Sequence, residues 1–508
     1  MPAPADRVLF LALDAADPDV LLAGARDGTF PALGALLARG SRVRTENPLA
    51  LYVGAVWPSF WTSVGAARHG RYCFVQLEAG TYRSVETQSD DVVGTPFWRP
   101  ACDAGRRVAV VDVPKCAPDA SIRGLHVTDW GTHDPDHCGL RVRPAEREAE
   151  VRAALGPSPL PTCDEKWVGA AQWTRLRETL TARAERRTEF VTTLLDDDYD
   201  ALLVGFPESH CIGHQAWHLH QTDHDRHDPA LRAATGDLVV DVYRALDRCV
   251  GRLVEAAGPR CRVMVLASHG MGPHYDGGAA LDALLERLER LLPRGRRPRL
   301  VGRLGRWLDT PTTRRWRKSL RKRTGFAPRV PSRNGGRTCF TVPNNDAWAG
   351  IRVNVVGREP HGRIRPGAEL DAYVEALVAR LGEVRHGDTG EPVFERILRT
   401  DAVHRGPETA AFPDVVAEWR RTRPIPALTH PAAGTVRHPY HKIRSGDHRD
   451  YGMAIAAGPG IGAGPLDASV RIEDLGPTLC AWLGVDVPGV DGRPIDAWCA
   501  PRPASSRP

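Results

Sequence analysis

No run of apolar residues in this sequence approaches the roughly 18 needed to span a membrane. The opening MPAPADRVLFLALDAADP meets Asp14 too soon to hold a secretion-signal core. The chain therefore reads as soluble and untargeted, with no membrane partner. It also lacks any CxxC pair. Its eleven cysteines, an odd number, are scattered from Cys73 to Cys499, which excludes a disulfide framework and a cysteine-rich zinc module. Reduced thiols in the cytoplasm are the expectation. Internal repeats and long low-complexity tracts are missing too. What is there is an ordinary globular balance: 508 residues, 42 % hydrophobic and 26 % charged. The net charge of +6 hides an asymmetry. From Arg287 to Arg323 fifteen Lys or Arg face only Glu289 and Asp309, so one segment carries the basicity and the remainder is acidic. RRWRKSLRKR fits a solvated insertion as well as an anion-collecting surface.

Short apolar runs recur along the chain: VLFLAL at 8–13, VAVVDV at 108–113, ALLVGF at 201–206, VMVLAS at 263–268 and MAIAAG at 453–458. Each is bounded by a turn or loop and reads as a buried strand. Amphipathic helical text separates them at 174–195, 231–257 and 370–381. Alternating strands and helices predict an α/β fold with a largely parallel central sheet and helices on both faces. The text reads as one undivided domain over 1–508, with a basic Pro/Arg-rich insertion at about 287–335 that has few apolar positions to bury. Ligands of such sheets collect at the carboxyl ends of the strands. Asp14, Glu208 with His210, and Ser268 with His269 all fall there.

The strongest constellation is FPESHCIGHQAWHLH at 206–220, where His210, His214 and His218 fall at i, i+4 and i+8 and share one helical face. Two histidines at that spacing after a buried strand hold zinc without moving the backbone. SHGMGPH at 268–274 ends a strand with a histidine and tightly turning glycines, and GDHRDYG at 446–452 places His448 ahead of another strand. With Asp14 these supply imidazoles and a hard carboxylate from four distant parts of the chain, as a metal site on a layered sheet requires.

These blocks resemble the alkaline phosphatase superfamily, in particular its type I phosphodiesterase and nucleotide pyrophosphatase-like branch. ALDAADPDVLL with FPALGALLARG resembles the opening strand, ligand aspartate and first helix. WPSFWTSVGAARHGRY resembles the nucleophile helix. GFPESHCIGHQAWH, SHGMG, NNDAWAGIRVNVVGREPHGRI, FPDVVAEW, GDHRDYGMAIAAGPGI and IEDLGPTLCAWLGV follow in the family order. The resemblance implies an alkaline-phosphatase-like layered fold and a metal-dependent hydrolase acting on phosphodiester or pyrophosphate bonds of a small-molecule phosphate ester. It implies one or two divalent ions, zinc first and manganese second. One ion would be held by His210, His214 and His448, the other by Asp14, Ser268 and His269. Asn344 and Arg352 would bind substrate. Nucleic acid is not an expected partner, and oligomeric state is not indicated.

Three departures stand out against the family pattern. His210 replaces an aspartate, giving a three-histidine site with an open fourth position. Ser268 replaces another aspartate, which removes a charged ligand from the second ion. Counting back from Pro58 to the family's nucleophile reaches Val56, and the alternative register reaches Val53. Ser59, expected at a helix N-terminus behind Pro58, is the nearest hydroxyl. Two mechanisms stay open: attack by Ser59, or by a water activated on a three-histidine ion. Two other readings also stand, namely a diverged group transfer (phosphomutase, sulfate ester or phosphonate chemistry) and a decayed polyanion-binding protein using the basic segment.

Overall fold

The computed structural model describes residues 7–132, 139–160, 164–295, 312–313, 332–440 and 442–499. The chain clusters into two compact units, one of residues 1–71, 88–274 and 442–508, the other of residues 72–87 and 275–441. The sequence gives no sign of this division, because the second unit is an insertion with its own apolar periodicity. Most of the basic segment expected at 287–335 lies outside the described residues.

The first unit is built on a ten-stranded sheet. Its elements include β1 (Arg7–Leu13), α1 (Pro18–Asp27), α2 (Pro31–Arg39), β2 (Ser41–Glu46), α3 (Tyr52–Thr62), β3 (Val108–Val111), β4 (Gly124–Thr128) and β5 (Arg141–Arg143). They continue with α4 (Gly169–Leu195), β6 (Ala201–Phe206), α5 (Glu208–His220), α6 (Leu238–Ala257), β7 (Cys261–Ala267), β8 (Met271–Pro273), β9 (Gly446–His448) and β10 (Tyr451–Ala457). From β2 the order runs β2-β10-β7-β1-β6-β3-β4-β5. The pairs β7-β1, β1-β6, β6-β3 and β3-β4 are parallel, while β10 runs antiparallel to both its neighbours. The sheet is therefore largely parallel, as the sequence predicts.

Both faces of the sheet are covered. Along β1, Leu9, Leu11 and Leu13 join a core with α1, α2, α4, α5 and α6. Val8, Phe10 and Ala12 join a second core with α3 and the helix Leu475–Trp482. Two-sided burial explains why the strands read as continuous apolar runs instead of alternating ones. The stretch read as one helix over 231–257 is two, Pro229–Thr235 and α6, broken at Gly236 and recapped by Asp237.

The second unit has a four-stranded antiparallel sheet, in the order Cys339–Val342, Trp348–Val353, Val415–Trp419, Phe394–Arg399. The helices Gly278–Leu288 and Ala368–Gly382 share a core with it. Among the described residues no single helix is long and apolar enough to cross a membrane.

Candidate metal centre

Three neighbouring strands deliver their C-terminal residues to one place. Leu13 of β1 pairs with Phe206 of β6 and with Ala267 of β7. Asp14, the start of α5 and the Ser268–His269 pair thus leave the same sheet edge side by side. Ala15, at φ 53, turns the chain sharply after Asp14.

On α5, His210 and His214 lie one turn apart, with ring centroids 4.6 Å from each other. β9 brings the third ring. It pairs with β8 in the register Met271 to His448, and Ser445 N–H donates to the His214 carbonyl at 2.7 Å. This close approach needs glycine, since a Cβ on Gly446 would stand 2.2 Å from the Gly213 carbonyl oxygen. His210, His214 and His448 then offer one ligand atom each, all within 4.8 Å of one another.

The outer nitrogens of His210 and His214 have acceptors behind them, whereas Nδ1 of His448 is buried with no hydrogen-bond partner among the described residues. Nδ1 of His210 lies 2.7 Å from Asp14 Oδ2, and Nδ1 of His214 lies 2.7 Å from the Gly446 carbonyl. Neither acceptor can donate, so both histidines carry a proton on Nδ1, and Nε2 is the atom each ring offers to the site. Nε2 of His214 and Nε2 of His448 are 3.1 Å apart. Two lone pairs that close need a proton or a cation between them, and a divalent ion fits this all-imidazole donor set. Carbonyl or carboxylate support behind the ring, as His210 and His214 have it, is the usual arrangement for metal-bound histidine.

The residues expected around a second ion are engaged with one another. Asp14 Oδ1 accepts from Trp57 Nε1 at 3.0 Å and from Ser268 Oγ at 3.2 Å, while Ser268 Oγ is 2.8 Å from His269 Nδ1. Burial opposes charge on Asp14, yet His210, His269 and Trp57 hold its carboxyl well below the usual carboxylate range. Burial pushes His269 down to about 4. Burial also takes His448 well below the ordinary histidine value, and the neighbouring rings add to the effect. The His269 ring stands 4.2 Å from that of His448.

The other expected residues are placed differently. Ser59 is not at a helix N-terminus: α3 starts at Tyr52 and carries Pro58 inside it. The apolar text on both sides of Pro58 packs into the core, and that packing overrides proline's preference for the first turn. Ser59 is fully buried, with Oγ 3.0 Å from His69 Nε2. Val56 is fully buried in the apolar core. His218, the third histidine of the stripe, turns to Ser445 Oγ at 3.0 Å. Glu208 faces inward but is taken by Arg183 at 2.6 Å and Arg187 at 2.9 Å, and Arg187 also binds Asp112. Sequence reasoning misses this buried network. Its signal is Arg183 and Arg187 at i, i+4 within the apolar stripe of α4.

Asn344 and Arg352 belong to the second unit. Arg352 is ion-paired with Glu359 at 2.8 Å and donates to the Phe412 carbonyl. Asn344 lines a cleft of about 510 Å³ with Asn345, Trp348 and Trp419.

The sequence model of the family described as type I phosphodiesterase / nucleotide pyrophosphatase matches residues 8–413. The chain belongs to this family. It is accordingly an enzyme, a phosphoryl hydrolase of the alkaline phosphatase superfamily, whose members use divalent metal ions. Among solved structures, phosphonoacetate hydrolase from Sinorhizobium meliloti 1021 is 15 % identical with a TM-score of 0.52, over 93 % of this chain and 94 % of that one. Murine ectonucleotide pyrophosphatase / phosphodiesterase 5 is 14 % identical with a TM-score of 0.47, over 96 % and 97 %. Alkaline phosphatase PafA is 12 % identical with a TM-score of 0.48, over 98 % and 99 %. The first of these shows the shared fold. No curated protein sequence matches the chain. In this family member His210, His214 and His448 bring one ligand atom each within 4.8 Å of one another.

Proposed function

We propose that this family member cleaves a phosphodiester or pyrophosphate bond in a small-molecule phosphate ester, with one divalent ion, zinc, on His210, His214 and His448. One observation carries the reading: three ring nitrogens converge within 4.8 Å, while the side chains that would hold a second ion bind one another. His210, His214 and His448 would hold the ion, which would supply Lewis acidity toward a phosphoryl oxygen and lower the pKa of a water there.

The chain's own residues prepare that position. Asp14 orients His210, the Gly446 carbonyl orients His214, and burial of the site keeps bulk water away from the rings. Val56 stands where the family carries its hydroxyl, and Ser59 is held against His69. Water is therefore the attacking group. Its oxygen forms the new bond to phosphorus as the ester oxygen departs. The proton lost by the water balances the one gained by the leaving group.

The test is zinc content per chain by elemental mass spectrometry, paired with hydrolysis of bis(p-nitrophenyl) phosphate. One ion per chain and no trapped phosphoserine are expected. Two ions, or radiolabel retained on Ser59, overturn the mechanism. Faster cleavage of phosphonoacetate than of any diester overturns the substrate class alone. The same proposal places the protein in the cytoplasm, supported by eight buried free thiols among the nine described cysteines. Recovery in a secreted fraction would refute that.

A further inference from the structure

Buried hydrogen-bonding groups must balance donors against acceptors, and around Asp14 the balance has one solution. Ser268 Oγ has one proton and two lone pairs. The Ala15 N–H donates to it at 3.0 Å and occupies one lone pair. Asp14 Oδ1, at 3.2 Å, can only accept, so the hydroxyl proton goes there. The remaining lone pair faces His269 Nδ1 at 2.8 Å, which must then donate. The opposite assignment would set the lone pairs of Ser268 Oγ against a carboxylate oxygen in a site where Ser268 and Asp14 are at most 2 % exposed, a contact with a desolvation cost and nothing to offset it.

From this we infer that Asp14 is a positioning residue and not a metal ligand. It fixes His210 directly and His269 through Ser268, each as the Nδ1–H tautomer with the lone pair on Nε2. The inference rests on the three-histidine reading for its purpose and on the hydrogen-bond geometry alone for its content.

Three features support it. Both carboxylate oxygens of Asp14 are spoken for: Oδ2 by His210, and Oδ1 by Trp57 and Ser268. The Nε2 of His269 is buried and has no hydrogen-bond partner among the described residues, as expected for a lone pair held ready for a ligand. Ser268 is one atom pair longer than a direct carboxylate–imidazole contact. It thus lets a single carboxylate reach a second ring from the same side of the sheet edge. The serine in place of the family's aspartate is, on this view, the spacer that converts two would-be ligands into a relay. Carboxylate–histidine pairs of this kind set ring orientation and basicity, and their loss typically costs about 10- to 100-fold in metal affinity.

The test uses the full-length, metal-free protein labelled with ¹⁵N-histidine, read by long-range ¹H–¹⁵N correlation. His210→Gln and His269→Gln identify the two rings by loss of their signals. The expected result is a protonated Nδ1 and bare Nε2 on both rings. Ser268→Ala should change the His269 pattern and leave that of His210 intact, while Asp14→Asn should change both. Zinc titration against a chelator gives a second readout: Asp14→Asn should bind the same number of ions as wild type, about 10- to 100-fold more weakly. A wild-type His269 protonated on Nε2 overturns the relay. Loss of one bound ion in Asp14→Asn without loss of affinity at the other makes Asp14 a ligand and overturns the inference. Two ions in wild type with the expected tautomers intact refutes the one-ion mechanism instead, so the two failures are distinguishable. If Asp14→Asn does not fold, Ser268→Ala and the wild-type spectrum decide alone.

Discussion

The two sides of the centre start from the same sheet edge and end in opposite chemistry. On one side His210, His214 and His448 turn ring nitrogens toward a common point. On the other Asp14, Ser268 and His269 turn toward each other. Every member of both sets except the half-buried His210 is buried, so burial alone does not separate them. The difference lies in who satisfies the polar atoms. In the first set His210 and His214 are backed by acceptors on Nδ1, which leaves Nε2 open. The second closes its hydrogen bonds within the protein except at His269 Nε2. A ligand set is therefore defined by what remains unsatisfied after folding, and residue type alone does not give it.

The largest break in this comparison comes from His214→Ala. It removes a ring from the open side, and zinc content should fall to zero with turnover lost, a drop in affinity beyond the roughly 100-fold upper end for outer-shell changes. Retained zinc would mean that the open side is misassigned. Next comes Ser268→Asp, which sets a second carboxylate beside Asp14 on the closed side. Without metal this buried like-charge pair should cost about 3–5 kcal/mol, seen as a lower thermal midpoint in chelator. Zinc should restore the midpoint and raise the stoichiometry to two. An unchanged midpoint in chelator would show that the closed side tolerates charge it has no partner for.

Acidification acts on the metal-free protein more gradually. Burial holds His126, His218 and His269 at about 4 in the fold, against about 6.5 unfolded. These groups stay neutral when folded and charge when unfolded, so their stability contribution is present above about 6.5 and is lost as the pH falls toward 4. Each is worth on the order of 3 kcal/mol. Glu473, pushed up to about 7 by burial, acts oppositely: its contribution is full below its unfolded value and fades as the pH rises toward 7. Three histidines outweigh one carboxyl, so chemical denaturation at a series of pH values should show a net loss between about 6.5 and 4. Saturating zinc should shift that loss to lower pH, because ions compete with protons for the open side. The smallest effect is expected from Ser59→Ala: near-normal turnover, and a stability loss of about 1–2 kcal/mol from the broken bond to His69. Loss of turnover with an intact thermal midpoint would return Ser59 to the chemistry.

Most of the scaffold is legible in the sequence because β1, β6 and β7 are buried on both faces and read as unbroken apolar runs. His210 and His214 are legible because helical spacing puts them on one face before any tertiary contact forms. The extent of α3 is not, since a Trp-Pro pair reads as a helix start and only core packing carries the helix back to Tyr52. Nor is the closed state of Asp14, which depends on Trp57, His210 and Ser268 meeting from separate segments. Glu208 shows the same limit: its inward direction is set by Arg183 and Arg187 on another helix.

The strand that carries His448 also pairs with a strand close to where the chain passes from one unit to the other. The chain leaves the first unit after His274 and returns at Lys442, and β8 and β9 pair just inside those two points. An ion held by His214 and His448 would fasten β9 to a helix 234 residues away in sequence. At a zinc concentration 100-fold above its dissociation constant, separating β9 from α5 should cost about 2.7 kcal/mol more than in the empty protein. Amide hydrogens of Met271, Gly272 and residues 446–448 should exchange about a hundredfold more slowly with zinc than without it.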